Sequence, residues 1–207
     1  MKSKTWLNFV PIIAIVAVGF PIYRQWQRSR APSHLDYENA AASVPSSRPT
    51  GTMPTSERWQ VVSVADGDTL TVTSQDKKEK LRLCGIDAPE VAHGRKPGQP
   101  FGNEATEELK SLVGGVGSEV IVMPLEKDRY GRTVAEVFVK KPNSQEETFV
   151  NGELVAAGMA YHYSRYSGSC ANREAIERGE AIAKGKKVGV WSQANLVKPW
   201  DFRKANR

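Results

Sequence analysis

Cysteine and histidine are scarce in this chain of 207 residues, which holds two Cys and three His. There is no Cys-x-x-Cys and no Cys/His spacing of the kind zinc demands, so a structural zinc site is excluded. Cys84 and Cys170 leave two outcomes open: one disulfide in an oxidising compartment, or two separate buried thiols in a reducing one. Charge of one sign is also in short supply where it would count. The net charge is +6, but residues 1–56 hold six Lys/Arg and two Asp/Glu, leaving 23 against 21 for residues 57–207, a surplus of only two. Net charge alone therefore does not mark a nucleic-acid binder. No internal repeat is present, which excludes a solenoid. Hydrophobic residues at 40% and charged residues at 25% exclude a chain that is disordered or fibrous throughout.

Only one long apolar run exists. Trp6 to Tyr23 is a stretch of about 18 residues without a charge, the lower limit for crossing a bilayer. Pro21-Ile22-Tyr23-Arg24 follows it instead of a small-residue cleavage site, and the first Ala-x-Ala waits until Ala40–Ala42. Residues 1–30 are therefore expected to be an uncleaved membrane anchor, with a cleaved signal as the alternative. Lys2 and Lys4 on one side nearly balance Arg24, Arg28 and Arg30 on the other, so the flanking charge does not orient the segment. Residues 31–56 carry Pro32, Pro45, Pro49 and Pro54 among Ser, Ala and Thr, the composition of a flexible linker. One folded domain is expected over 57–207.

Alternating β-branched and apolar residues predict strands over 59–65, 69–73, 80–86, 119–125 and 133–140. Three helices are expected. The first is capped by Asn103 and stops at Gly114-Gly115; the second spans about 151–157 and ends at Gly158; the third spans 172–184 and ends at Gly185. Five short strands with interspersed helices make an α+β, mainly β chain. The expected fold is a five-stranded OB-fold barrel, an architecture that binds oligonucleotides.

The chemistry-bearing residues cluster in short segments. Asp66-Gly-Asp68-Thr69 sits on one turn and Asp87-Ala-Pro-Glu90 at the end of a nearby strand. Alone, each is ordinary turn or strand-end chemistry. Together, their carboxylates could converge from two segments on one hard cation such as Ca²⁺, with waters and a phosphate filling the remaining positions. Arg82 lies on the strand leading to Asp87, and alternation places it on one face with Cys84 and Ile86. It either pairs with a carboxylate or aims its planar fork at a phosphate. Asp128-Arg-Tyr-Gly-Arg132 adds a second guanidinium on a hairpin, which by itself is a charged loop. Two arginines, a divalent ion and a carboxylate form a full set for phosphodiester hydrolysis.

Four segments resemble, in order and spacing, the signature segments of the thermonuclease (staphylococcal nuclease) family. They are Val64-Ala-Asp-Gly-Asp-Thr-Leu70, Leu81-Arg-Leu-Cys-Gly-Ile-Asp-Ala-Pro-Glu90, Asp128-Arg-Tyr-Gly-Arg132 and Val150-Asn-Gly-Glu-Leu-Val-Ala-Ala-Gly158. The resemblance runs from about Trp59 to Trp191. It implies a monomeric, Ca²⁺-dependent nuclease domain acting on DNA and/or RNA. It further implies that Asp68 and Asp87 bind the ion, that Asp66 supports the site from its edge, that Arg82 and Arg132 hold the phosphate, and that Glu90 positions or deprotonates the attacking water. Ala88 stands where the staphylococcal enzyme has threonine, at a position resembling one that coordinates through its backbone carbonyl. Tyr161, Tyr163 and Tyr166 lie in a stretch similar to a nucleotide-packing segment, without individual assignments. His93 and His162 are not needed by the mechanism, and Trp191 is expected to cap the core. A general nuclease is best kept from the chromosome, and such Ca²⁺ sites fill readily outside the cytoplasm, so an extracytoplasmic domain is expected. There Cys84 could pair with Cys170 on the active-site side of the barrel. The competing function is a catalytically silent module of this fold that binds nucleic acid or a partner protein.

Overall fold

The computed structural model describes residues 55–141 and 143–206. The expected anchor over 1–30, and all but the end of the expected linker over 31–56, lie outside the described residues. No described helix is long and apolar enough to cross a membrane.

The alternating segments form the strands their pattern predicts: β1 (Glu57–Asp66), β2 (Thr69–Ser74), β3 (Lys77–Leu83), β5 (Glu119–Lys127) and β6 (Thr133–Lys140). The order is β3-β2-β1-β5-β6, and β3 closes the sheet by pairing in parallel with β6, Leu81 opposite Thr133 and Leu83 opposite Ala135. This is the expected five-stranded barrel. The register shifts twice in β1 and once in β5. Such irregularities add the bend and twist that closure of a small barrel needs. Alternate positions point inward, so Val61, Leu70, Val72, Leu81, Leu83, Val120, Val122 and Val137 are all at most 2% exposed. Each full burial of such a side chain is worth about 1.5–3 kcal/mol relative to exposure.

Helix α1 (Gly102–Leu112) joins the core through Ala105 and Leu109, α2 (Val150–Ala156) through Val150, Leu154 and Val155, and α3 (Arg173–Lys186) through Ile176. Asn151 ties α2 to the barrel seam. Its fully buried side chain donates to Cys84 O (3.0 Å) and Ala135 O (3.3 Å) and accepts from Val137 N (3.1 Å). Small elements complete the domain: β4 (Ile86–Asp87) pairs with β8 (Tyr161–His162), β7 (Glu147–Phe149) extends β6, and α4 (Pro199–Ala205) is a fourth helix beyond the three expected.

Three local expectations are corrected. Asn103 lies inside α1, and Phe101 in the left-handed region (φ 70°) takes the cap position. The chain turns sharply there because Gly102 is pressed on the Glu90 backbone; a Cβ would lie 2.4 Å from Glu90 O. Helix α3 runs through Gly185 and ends at Lys187 (φ 52°), because Val190 N must reach Gly158 O at 2.8 Å. The strand carrying Arg82 ends at Leu83, where Cys84 and Gly85 (φ 72°) turn the chain. Ile86 therefore enters the core instead of sharing the face of Arg82.

Candidate active site

The turn between β1 and β2 presents two of the acids. Asp66 accepts a hydrogen bond from Asp68 N at 3.1 Å through its own side chain, the usual Asx role in a tight turn. Gly67 lets the turn pack against α1 and the segment after β4, since a Cβ there would lie 2.6 Å from Ala105 Cβ and 2.8 Å from Ala88 Cβ. Asp68 is 6% exposed and its carboxylate is doubly fixed: Ala88 N donates to Oδ2 at 2.7 Å and Thr69 Oγ1 to Oδ1 at 3.1 Å. Its backbone is pinned as well, with Leu83 N donating to Asp68 O at 2.9 Å. Asp87 is fully buried and held in β4, where it pairs with Tyr161 of β8.

Arg82, opposite Thr69 in the β2–β3 ladder, joins these acids. Its guanidinium ion-pairs with Asp68 and donates from Nη2 to Asp87 Oδ1 at 2.7 Å. Burial pushes Arg82 below its ordinary range; Asp87 and Asp66 oppose that, while the positive charges of Arg132 and Arg203 add to it. One arginine thus bridges two buried carboxylates from separate segments.

Glu90 lies just past β4. Its backbone N donates to Gln99 Oε1 at 3.1 Å and its carbonyl accepts from Gln99 N at 2.8 Å. The carboxylate meets a residue that the sequence motifs did not flag. Arg203, on α4, donates from Nη1 to Glu90 Oε1 (2.5 Å) and Asp87 Oδ1 (3.0 Å), and from Nη2 to Asp87 Oδ2 (2.8 Å). Burial alone would lower this guanidinium, but its bonds to Asp87 and Glu90 outweigh burial and raise it. It moves opposite to Arg82 because it is less deeply enclosed and holds one carboxylate through both nitrogens. The result is a chain of ion pairs running Asp68, Arg82, Asp87, Arg203, Glu90.

Arg132 stands beside this chain without bonding to it. Its hairpin is built by Asp128, whose Oδ1 accepts from the backbone N of Tyr130 (2.9 Å) and of Arg132 (3.0 Å), and whose Oδ2 accepts from Arg132 Nε (2.7 Å). Burial would raise the Asp128 carboxyl, but these bonds outweigh it and hold it below its usual range. Arg132 also lies over the ring of Tyr130, 5.5 Å from its centroid.

An aromatic ledge borders the acids. Tyr163 stacks on Trp200 of α4 at 4.8 Å with planes 8° apart, and Tyr166 meets it edge-on. Burial, then the negative charge of Asp87, pushes the Tyr163 hydroxyl up. Tyr161, by contrast, is 2% exposed and packs edge-on against Trp191 and Trp200, so it belongs to the core. Trp191 serves the packing role expected of it. His93 is exposed in the loop after Glu90, and His162 points at Ser167 Oγ, 2.9 Å from Nε2. Neither histidine bonds to the acid network. Cys84 and Cys170 are joined in a disulfide with Cα atoms 5.9 Å apart, tying the end of β3 to the segment that follows Tyr166.

Residues 80–193, which include Arg82, Asp87, Glu90 and Arg132, match the family of staphylococcal nuclease homologues. The chain belongs to the staphylococcal nuclease family. A micrococcal nuclease of Shigella flexneri is 37% identical over 153 residues, covering 72% of this chain and 82% of that one. An endonuclease of Haemophilus influenzae is 36% identical, covering 72% of this chain and 74% of its own. The staphylococcal-like nuclease CAN1 of Arabidopsis thaliana is 35% identical over 63% of this chain, but this chain spans only 35% of that plant protein's length.

The nuclease family depends on a metal, and the donor set here suits a hard cation. Asp68 and Asp87 are two buried, acceptor-only carboxylates from separate segments, brought to one guanidinium's reach. Among the described residues no three Asp, Glu, His or Cys side chains gather around one point. A cation held here would take two protein carboxylates and complete its shell with waters and substrate oxygens. Asp66 stays at the edge, its carboxylate turned to its own turn.

Proposed function

We propose that this chain is a Ca²⁺-dependent nuclease that hydrolyses phosphodiester bonds of DNA and/or RNA by attack of an activated water on phosphorus. Family membership and the nuclease names of its relatives make it a phosphodiester hydrolase. The observation that carries the finer reading is the joined network of Asp68, Arg82, Asp87, Arg203 and Glu90, two buried acids linked by two guanidinium groups to a partly exposed carboxylate at the open end.

Asp68 and Asp87 would hold Ca²⁺, with Asp66 supporting the turn. Bound there, the ion would neutralise phosphate charge and polarise the phosphoryl oxygen. Arg82 and Arg132 supply the remaining positive charge. Guanidinium forks suit two oxygens of a phosphate at once and stabilise the charge that grows on them in the transition state. Glu90, on the accessible side, orients the attacking water and accepts its proton. Tyr163, stacked on Trp200, offers a π-face to a base next to the scissile phosphate. No observation favours the binding-only alternative, since every charged member of the set is present.

The apolar run at 6–23 supports an N-terminal membrane tether, with secretion after cleavage as the alternative. The disulfide supports an oxidising, extracytoplasmic location for a monomeric catalytic domain.

The test is digestion of plasmid, single-stranded DNA and RNA by the full-length chain with Ca²⁺ or chelator, beside Glu90→Gln and Arg132→Ala. The expected outcome is metal-dependent cutting that either variant lowers by roughly 10²–10³-fold, the usual cost of removing a base or a charge-stabilising donor. A folded chain that binds Ca²⁺ in a calorimetric titration yet cuts none of these substrates would refute the enzyme reading.

A further inference from the structure

The carboxylate of Glu90 stands apart from the other acids of the site. Asp68 and Asp87 are buried in a turn and a strand, whereas the Glu90 side chain is 33% exposed. A glutamate so placed has several rotamers open to it, and a base must be held in one of them to meet its water. The C-terminal segment supplies the restraint. Arg203 is locked through two nitrogens on Asp87, which is itself fully buried and also bonded to Arg82. The same guanidinium reaches Glu90 Oε1 at 2.5 Å.

Two features show that this arginine is delivered by a built element. Trp200, three residues earlier on the same helix face, stacks on Tyr163 at 4.8 Å, and Phe202 lines an apolar cavity with Pro89, Pro100 and Tyr161. Helix α4 is thereby anchored independently of the ion pairs. A second bridge grips the Glu90 backbone: Gln99 accepts from Glu90 N at 3.1 Å and donates from Nε2 to Val197 O at 2.8 Å. Residues 197–203 thus hold both the backbone and the side chain of Glu90.

We infer that Arg203 is a positioning residue for the Glu90 carboxylate, which makes α4 part of the catalytic machinery. This rests on the nuclease reading above. Arg203 carries the rigidity of buried Asp87 outward to a partly exposed base, as Arg82 links Asp87 to Asp68. Lysine cannot substitute, because a point charge lacks the fork that grips Asp87 with two nitrogens while reaching Glu90.

The experiment compares kcat and KM on single-stranded DNA at saturating Ca²⁺ for the full-length chain, Arg203→Ala, Arg203→Lys, Glu90→Gln and the Glu90→Gln/Arg203→Ala double variant. Arg203→Ala should lower kcat roughly 10–100-fold, the scale of a mispositioned group, with KM changed less than about 3-fold. Millimolar guanidinium chloride should restore part of that loss, and Arg203→Lys should not. In the Glu90→Gln background, losing Arg203 should cost less than about 2-fold more, because a residue acting through Glu90 has nothing left to position. Melting curves establish which variants are folded at the assay temperature. If Arg203→Ala is not, Arg203→Lys carries the same expected loss and the same comparison in the Glu90→Gln background. Wild-type cutting matched by the Arg203 variants, or an equal loss with and without Glu90, would overturn this inference alone. A wild-type chain that cuts nothing would overturn the nuclease reading and this inference with it.

Discussion

Breaking the Cys84–Cys170 bridge should destabilise the domain by about 3–5 kcal/mol, a prediction worked from the fold. The two residues are 86 positions apart. On the chain-entropy relation, a loop of that length costs the unfolded state about 15 cal/mol/K, or roughly 4.6 kcal/mol at 25 °C, and typical measured values are about 2–4. The loop encloses β4, α1, β5, β6, β7, α2 and β8, so its closure constrains more than half of the folded domain. Local contacts argue that the loss is felt at the site: a Cβ on Gly85 would lie 2.9 Å from Cys170 Sγ, and Tyr163 N donates to Gly85 O at 2.8 Å. Urea unfolding of the Cys84→Ala/Cys170→Ala variant, followed by tryptophan fluorescence, should move the midpoint down by about 1.5–2.5 M for a slope near 2 kcal/mol/M. Dithiothreitol should reproduce the shift in the wild type and leave the variant unmoved. A midpoint shift below about 0.5 M, or two free thiols titrated in the unreduced, denatured protein, would refute the reasoning.

Two further outcomes are expected. Asn151→Ala removes the partner of buried Cys84 O and Val137 N, and should destabilise by about 3 kcal/mol at 1–3 kcal/mol per orphaned group, read as a lower denaturation midpoint. Burial, set against the charges of Glu180 and Glu177, holds the His162 imidazole below its ordinary value of 6.5. The folded state therefore binds fewer protons than the unfolded state in the window below pH 6.5, so stability is complete above that pH and falls as the pH drops through the folded value. A pH series of melting temperatures should show that slope in the wild type and lose part of it in His162→Gln; identical slopes would exclude His162 as its source.

Much of this protein was legible in short stretches of sequence. A strand announces itself by alternation within six or eight residues, and four of the barrel's five strands are placed by that period within about two positions at either end, while β3 begins and ends three residues earlier than expected. The site acids and arginines were readable because each sits in a segment whose local chemistry is unusual: two acids around a glycine, an arginine inside an apolar strand, an arginine after a tight turn. Asp68, Arg82 and Asp87 then meet because the β1–β2 turn and the end of β3 lie side by side in the closed barrel, and Arg203 joins Glu90 to them.

What tertiary structure decided lies beyond the reach of local pattern. Arg203 is separated from Glu90 by 113 positions, and nothing in Pro199-Trp-Asp-Phe-Arg203 by itself says which carboxylate it meets. The strand of Arg82 stops at Leu83 because Cys84 is drawn into a bridge and Gly85 turns the chain. Helix α3 passes its glycine because its end is set by docking against Gly158. Whether two cysteines pair, where a helix stops and which arginine orders a partly exposed base all depend on contacts between segments distant in the chain. Propensity and spacing act over a few residues; these contacts exist only once the barrel has closed and the C-terminal helix has docked on it.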